Sequence, residues 1–209
     1  METFEYKKIY SEYCDHYFDN WESIDNKSED EQISVLSEPL DEVIDVEKTM
    51  FVKRGNYNYH PKNKHELCDI IEERLLENQL TPNLLDIDVS KVVDFSSLFL
   101  PNYWYDRSNG KICLWHMESL DLSTWNTKNC HIMEHMFFGC NALEELKGLE
   151  YWNVRNVHCM HAMFYDCRSL RYLKVDGWFK EKCKHVDTYH MFINCKQSII
   201  PLWYVETPY

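Results

Sequence analysis

Met136-Phe137-Phe138-Gly139-Cys140, Met163-Phe164-Tyr165-Asp166-Cys167 and Met191-Phe192-Ile193-Asn194-Cys195 are copies of one phrase, Met-Phe-x-x-Cys, spaced 27 and 28 residues apart. A fixed period in this range predicts stacked units, each burying an apolar face against the next. Upstream, Trp125-Asn126 and Trp152-Asn153 each place a Trp 11 residues before the Met. Ahead of the tryptophans lie Ser119-Leu120-Asp121-Leu122 and Leu143-Glu144-Glu145-Leu146, and Leu170-Arg171-Tyr172-Leu173-Lys174-Val175 opens the last unit. Short alternation of this kind suits a single strand with one face inward. After each Trp, apolar residues recur around the Met: Cys130, Met133, Met136, Phe137 and Cys140, then Val157, Met160, Met163, Phe164 and Cys167. Their spacings of three, four and seven place them on one helical face. Each unit is therefore expected to be a strand, a turn and a short helix. A degenerate earlier copy, Leu84-Leu85-Asp86-Ile87-Asp88-Val89-Ser90 followed by Val92, Phe95, Leu98 and Phe99, brings the total to about four units.

The run Leu120 through Cys140 resembles the BspA-type leucine-rich repeat, found in many bacterial surface proteins and some mobile elements. That family's usual phrasing is Leu-x-x-Leu-(Asp/Asn)-(Leu/Val)-Ser-x-Trp-(Asp/Asn)-Thr-x-(Asn)-Val-x-x-Met-x-x-Met-Phe-x-x-Cys. His60-Pro61-Lys62-Asn63-Lys64-His65-Glu66-Leu67 through Phe99 is similar to its opening helix and first unit, so the likeness covers residues 60–197. It implies an α/β fold: a short leucine-rich-repeat-like solenoid of about four strand-turn-helix units with a helical N-terminal cap, used for binding. It implies no reaction and supplies no catalytic residues. The expected repeat core is Trp125, Met136, Phe137, Cys140, Trp152, Met163, Phe164, Cys167, Trp178, Met191, Phe192 and Cys195. The last unit departs from the pattern, with two extra residues between Trp178 and Met191 and with Thr188 in place of the first Met. That suits a terminal, capping unit.

Four segments follow. Residues 1–58 form an acidic, aromatic N-terminal segment; in 1–48, 15 Asp and Glu face four Lys, and residues 3–21 carry aromatic residues at helical spacing. Residues 22–38 read as a polar loop, 49–52 as a strand and Gly55-Asn56 as a turn. Residues 59–82 read as a capping helix, started by Asn63 with Glu66 three residues on and striped by Leu67, Ile70, Ile71, Leu75 and Leu76. Residues 83–197 hold the repeats, and 198–209 form a C-terminal cap. Within the repeats, Phe99 to Met136 spans 37 residues. The excess is an insertion at 100–114, with Ser108-Asn109-Gly110 as a hairpin-type turn. Inserted loops in repeat proteins emerge on one face, often the binding face.

The net charge of −13 argues against direct nucleic-acid binding or an anionic membrane, both of which need a basic surface. The start Met1-Glu2-Thr3-Phe4-Glu5-Tyr6-Lys7-Lys8 has no apolar core, and no run approaches the ~18 apolar residues of a spanning helix. A cytoplasmic location is expected. Nine cysteines are then read as reduced, mostly structural thiols.

Exposed aromatic residues and Arg dominate interface hot spots, so Tyr103, Trp104, Tyr105 and Arg107 of the insertion are binding candidates. The competing expectation is that the aromatics fold back over the first unit. His131 and His158 are binding candidates too; they hold equivalent places in adjacent units and should be near neighbours, and His135 follows His131 at i+4, a spacing that can chelate zinc. No Cys-x-x-Cys or His-Glu-x-x-His supports a metal, and no glycine-rich phosphate loop is present. No metal and no cofactor is expected, and the chain is not expected to be an enzyme. The leading expectation is a non-catalytic protein-binding module that uses the solenoid face and the insertion loop. The alternative is an acidic intracellular inhibitor, encoded by a phage or mobile element and anti-CRISPR-like, that blocks a basic nucleic-acid-binding protein. A metal- or thiol-dependent enzyme is the third and least supported reading.

Overall fold

The computed structural model describes residues 56–178 and 186–205. The chain divides into two compact units, Met1–Lys48 and Thr49–Tyr209, and the described residues all belong to the second. The helix expected at 3–21, the loop at 22–38, the strand at 49–52 and Gly55 of the expected turn lie outside them.

Helix α1 spans Lys64–Glu77. Its start is set by side chains that replace the helical bonds missing there. The Asn63 side chain accepts the Glu66 N–H at 2.9 Å, and the Glu66 carboxylate accepts the Lys62 N–H at 2.8 Å. Leu67, Cys68, Ile71 and Leu75 are buried along one face. The insertion is not an open loop. It forms helix α2, Pro101–Arg107, with Pro in the first turn, where its missing N–H costs nothing. Asn109 and Gly110 follow with left-handed backbone at φ 52° and 79°.

Strand β1, Ser119–Asp121, pairs in parallel with β2, Glu145–Lys147, placing buried Leu120 opposite buried Leu146. The expected third strand at 170–175 contributes a single bridge, Tyr172 with Glu145.

The expected solenoid of four strand-turn-helix units is not what the chain forms. Among the described residues, α1, α2, this two-stranded sheet and three short 3-10 turns are the whole of the regular structure. Among the described residues, no α-helix follows Trp125 or Trp152. The reason is in the backbone. The residue before each Met, or before Leu98 in the first copy, is left-handed: Ser97 at φ 53°, His135 at 54°, Ala162 at 48° and His190 at 57°. So is the residue before each Cys: Gly139 at 74°, Asp166 at 64° and Asn194 at 59°. An α-helix requires negative φ throughout, so these left-handed residues, one in the first segment and two in each of the other three, replace it with tight turns.

Hydrogen bonding follows the same alternation. Within a segment the bonds reach back three residues, as from Cys140 N–H to the Phe137 carbonyl at 3.1 Å. The alternate N–H groups cross to the next segment: His135 to His161 at 2.9 Å, Phe137 to Met163 at 2.9 Å and Gly139 to Tyr165 at 2.8 Å. Ala162, Phe164 and Asp166 repeat this onto Tyr189, Met191 and Ile193.

Turn thus lies on turn, and the side chains form columns. Phe99, Phe137, Phe164 and Phe192 have ring centroids 5.4, 5.5 and 5.4 Å apart. The indole N–H groups of Trp125, Trp152 and Trp178 donate to the carbonyls of Leu84, Leu122 and Leu149 at 3.1, 3.5 and 2.9 Å. Trp203 does the same to Val175 at 2.9 Å, a continuation of the column into the segment read as a cap. The thiols of Cys140, Cys167 and Cys195 donate to the carbonyls of Phe99, Phe137 and Phe164 at 3.2, 3.2 and 2.9 Å. These cysteines are therefore donors in a ladder as well as small apolar fillers. At Gly148, with φ 95°, an added Cβ would sit 2.3 Å from the Ser123 backbone nitrogen, so the two backbones approach as only glycine permits.

Candidate binding face

Between the crossing donors Phe137 and Gly139 lies Phe138, and between Phe164 and Asp166 lies Tyr165; both are half-buried. Phe138 stacks on Tyr165 with centroids 4.7 Å apart and planes within 8°. His135 lies edge-on to Phe138 at 5.3 Å and to His161 at 5.4 Å. His161 in turn lies 5.6 Å from Tyr189 and 6.0 Å from His190. Phe138, Tyr165, His135, His161, Tyr189 and His190 are all half-buried, so each packs on its neighbours and keeps one side toward solvent.

Carboxylates line the same turns. Glu134 Oε1 lies 3.6 Å from His135 Nδ1, and Asp187 Oδ2 lies 3.8 Å from His161 Nδ1. From α1, Lys64 Nζ donates to Ser96 Oγ at 2.7 Å and sits 3.7 Å from Asp94. Burial and the neighbouring His161 push His135 down to about 4, so it is neutral at physiological pH. Burial also lowers His161, with Asp187 pulling the other way. Burial, reinforced by Asp187 and Asp94, raises the Glu134 carboxyl.

The histidine pair chosen from sequence is brought together. The His131 and His158 rings are 5.9 Å apart, and His131 Nδ1–H donates to the Asn156 carbonyl at 3.0 Å, which fixes its tautomer. Burial, then the His131 charge, lowers His158. Among the described residues no three His, Cys, Asp or Glu side chains are grouped to hold a metal ion.

The insertion candidates separate. Trp104 is fully buried and donates its indole N–H to the Leu98 carbonyl at 2.8 Å. Tyr103 packs edge-on against Trp104 at 5.3 Å, and burial, with Cys68 close by, pushes its hydroxyl up to about 12. Arg107 ties α2 to α1, bonding Glu72 at 2.7 Å and Asp69 at 2.5 Å. Only Tyr105 is well exposed, at 46%, with its ring 5.7 Å from Trp115.

The face built from Phe138, Tyr165, His161, Tyr189 and His190 was not among the residues singled out from sequence. One signal was present. Gly139, Asp166 and Asn194, each just before its Cys, are residue types that tolerate left-handed backbone. Read that way, they break the helix, and the first two leave the preceding aromatic, Phe138 or Tyr165, half-buried.

Residues 75–203 match the family described as "Mycoplasma protein of unknown function, DUF285". The chain belongs to this family. The match runs from the last turn of α1 through Trp203, so the DUF285 region contains the stacked turns and the Trp column among the described residues. No curated protein and no solved structure matches the chain. Among the described residues of this DUF285 chain, no helix is long and apolar enough to cross a membrane.

Proposed function

We propose that this DUF285 chain is a non-catalytic protein-binding module whose contact surface is the aromatic–histidine face. The observation that carries the reading is the Phe138–Tyr165 stack flanked by His135 and His161. These rings are partly exposed yet held by a laddered backbone, so binding would order little that is not already ordered. Rigid aromatic groups with apolar bodies are what interface centres favour. The resemblance of Leu120 through Cys140 to BspA-type repeats points the same way. Thiol chemistry finds little support, because burial raises Cys159 to about 11 and Cys195 to about 12 and lifts Cys130, Cys140 and Cys167 still further. The seven cysteines among the described residues are free thiols, which favours action in a reducing, cytoplasmic compartment.

Affinity capture from the native source with the wild-type chain and a Phe138→Ser/Tyr165→Ser variant tests the reading. A protein retained by the wild type and lost by the variant, at an unchanged melting temperature, is the expected outcome. Equal capture by both would refute it. The acidic-inhibitor alternative rests on residues 1–48, where the 15 acidic residues and four Lys leave a strong negative excess. It requires partner binding that collapses with salt, whereas the aromatic face requires binding that salt changes little.

A further inference from the structure

Two turns repeat a phrase whose outward residues core packing does not need: Lys128-Asn129-Cys130-His131 and Arg155-Asn156-Val157-His158. Cys130 and Val157 point into the core. The asparagines fix the spacing of the layers: Asn129 Nδ2 donates to the Ser90 carbonyl at 2.8 Å, and Asn156 Nδ2 donates to the Lys128 carbonyl at 2.7 Å. These equivalent bonds place Ser90, Lys128 and Arg155 in one column, with Lys91 beside its head. Backbone bonds continue the register, His131 N–H to the Val93 carbonyl at 2.8 Å and His158 N–H to the His131 carbonyl at 3.0 Å. The result is an edge bearing Lys91, Lys128, Arg155 and the paired His131 and His158 rings.

The cations on this edge differ from most others in the molecule. Arg74, Arg107, Lys147 and Arg171 each hold a carboxylate within 2.5–3.0 Å. Lys91, Lys128 and Arg155 are exposed, and none has a carboxylate partner among the described residues. The negative charge of the chain is also unevenly spread. Of 35 acidic and 22 basic residues, 15 and four lie in 1–48, which leaves 20 and 18 for everything after. The residues after 48 are thus nearly balanced in charge.

We infer that this edge docks an extended, acidic segment of a partner protein, whose carboxylates meet Lys91, Lys128 and Arg155. The guanidinium of Arg155 can take a carboxylate with two parallel bonds, and stacking of the layers sets the Lys128 and Arg155 backbones about 4.8 Å apart, so that both cations are within reach of neighbouring side chains on one strand. Nucleic acid fits less well. Duplex binding of useful strength engages about 6–10 phosphates, and the edge has three permanent cations. Single strands need aromatic platforms for their bases, and the phrase contains no Phe, Tyr or Trp. The inference rests on the protein-binding reading for the kind of partner, and its test uses a defined probe.

The probe is a fluorescein-labelled dodecapeptide of alternating Glu and Ser, titrated with the full chain and read by anisotropy. Saturable binding is expected, weakened about tenfold or more by K128E/R155E and by raising salt from about 50 to 300 mM. K62E/K111E, which reverses two exposed cations elsewhere, should change affinity by less than about twofold. Should K128E/R155E melt early, K128Q/R155Q replaces it, with a smaller loss expected. No saturable binding, equal weakening by both charge reversals, or tighter binding of an oligo-dT of equal length would each overturn the inference. A negative result leaves capture through Phe138 and Tyr165 untouched, so the two readings fail separately.

Discussion

Helix α1 and the turns after Trp125 and Trp152 bury apolar residues at the same spacings of three, four and seven, yet only α1 is helical. In α1, Leu67, Ile71 and Leu75 lie on one face of an unbroken ladder that Asn63 caps. In the turns, Met133, Met136, Phe137 and Cys140 reach the core through a chain that changes hand at His135 and again at Gly139. What separates the two regions is where backbone N–H groups go. In α1 they are satisfied locally, and in the turns every second one is satisfied by the next turn. A turn segment accordingly cannot form without its neighbours, whereas α1 is stabilised by local bonds and by packing along one face.

The largest expected effect breaks the turn side of this contrast. Phe137 is fully buried between Phe99 and Phe164 at 5.4 and 5.5 Å, so Phe137→Ala should cost about 3–5 kcal/mol in urea unfolding. Its loss should also lower hydrogen-exchange protection in both neighbouring turns; protection lost in its own turn alone would contradict the stacking.

The next effect depends on pH. His135 has its folded pKa pushed down to about 4 from an ordinary value of 6.5. The unfolded chain therefore takes up a proton at this site before the folded chain does. Its contribution is fully present above about 6.5 and is lost as pH falls toward 4, by at most roughly 3 kcal/mol. Glu134, whose carboxyl is raised, works in the opposite sense over its own range. The comparison is therefore with His135→Asn, which keeps a residue tolerant of left-handed backbone. The wild type should lose more stability than this variant between pH 6.5 and 4, and parallel curves would refute the assignment.

A smaller effect sits where the helices meet. Arg107 bonds Glu72 and Asp69 from a side chain 23% exposed. Arg107→Ala should lower stability by about 1–2 kcal/mol, less at high salt, and leave the Phe column intact by near-ultraviolet circular dichroism. No change in stability would mean the two helices are held by burial alone.

How far the sequence could be read follows from the same contrast. The α1 start was legible because Asn63 and Glu66 act through local bonds. The core residues were legible because both kinds of structure bury the same positions, so Trp125, Met136, Phe164 and Cys167 lie inside either way. The backbone between them was not legible from apolar spacing, since spacings of three, four and seven fit a helix and a stack of turns equally. The insertion misled for another reason: Trp104 looks like an exposed anchor until its indole N–H finds the Leu98 carbonyl. Nothing in the period marks Trp203, because Met-Phe-x-x-Cys does not recur after it, although its indole extends the column. The aromatic face depends on left-handed backbone at Gly139, Asp166 and Asn194, which apolar spacing does not encode.

The most direct measurement of the turn architecture is a sign. Gly139 has φ 74°, and the nearest atom to an added Cβ, on Pro101, would be 4.0 Å away, so conformation rather than crowding decides the effect of Gly139→Ala. Stacked turns predict a loss of about 1–2 kcal/mol in equilibrium unfolding, because alanine resists left-handed backbone. A helix through Met136–Cys140 would predict a gain of about 0.5–1 kcal/mol. A destabilised Gly139→Ala supports the turns, and a stabilised one would contradict them.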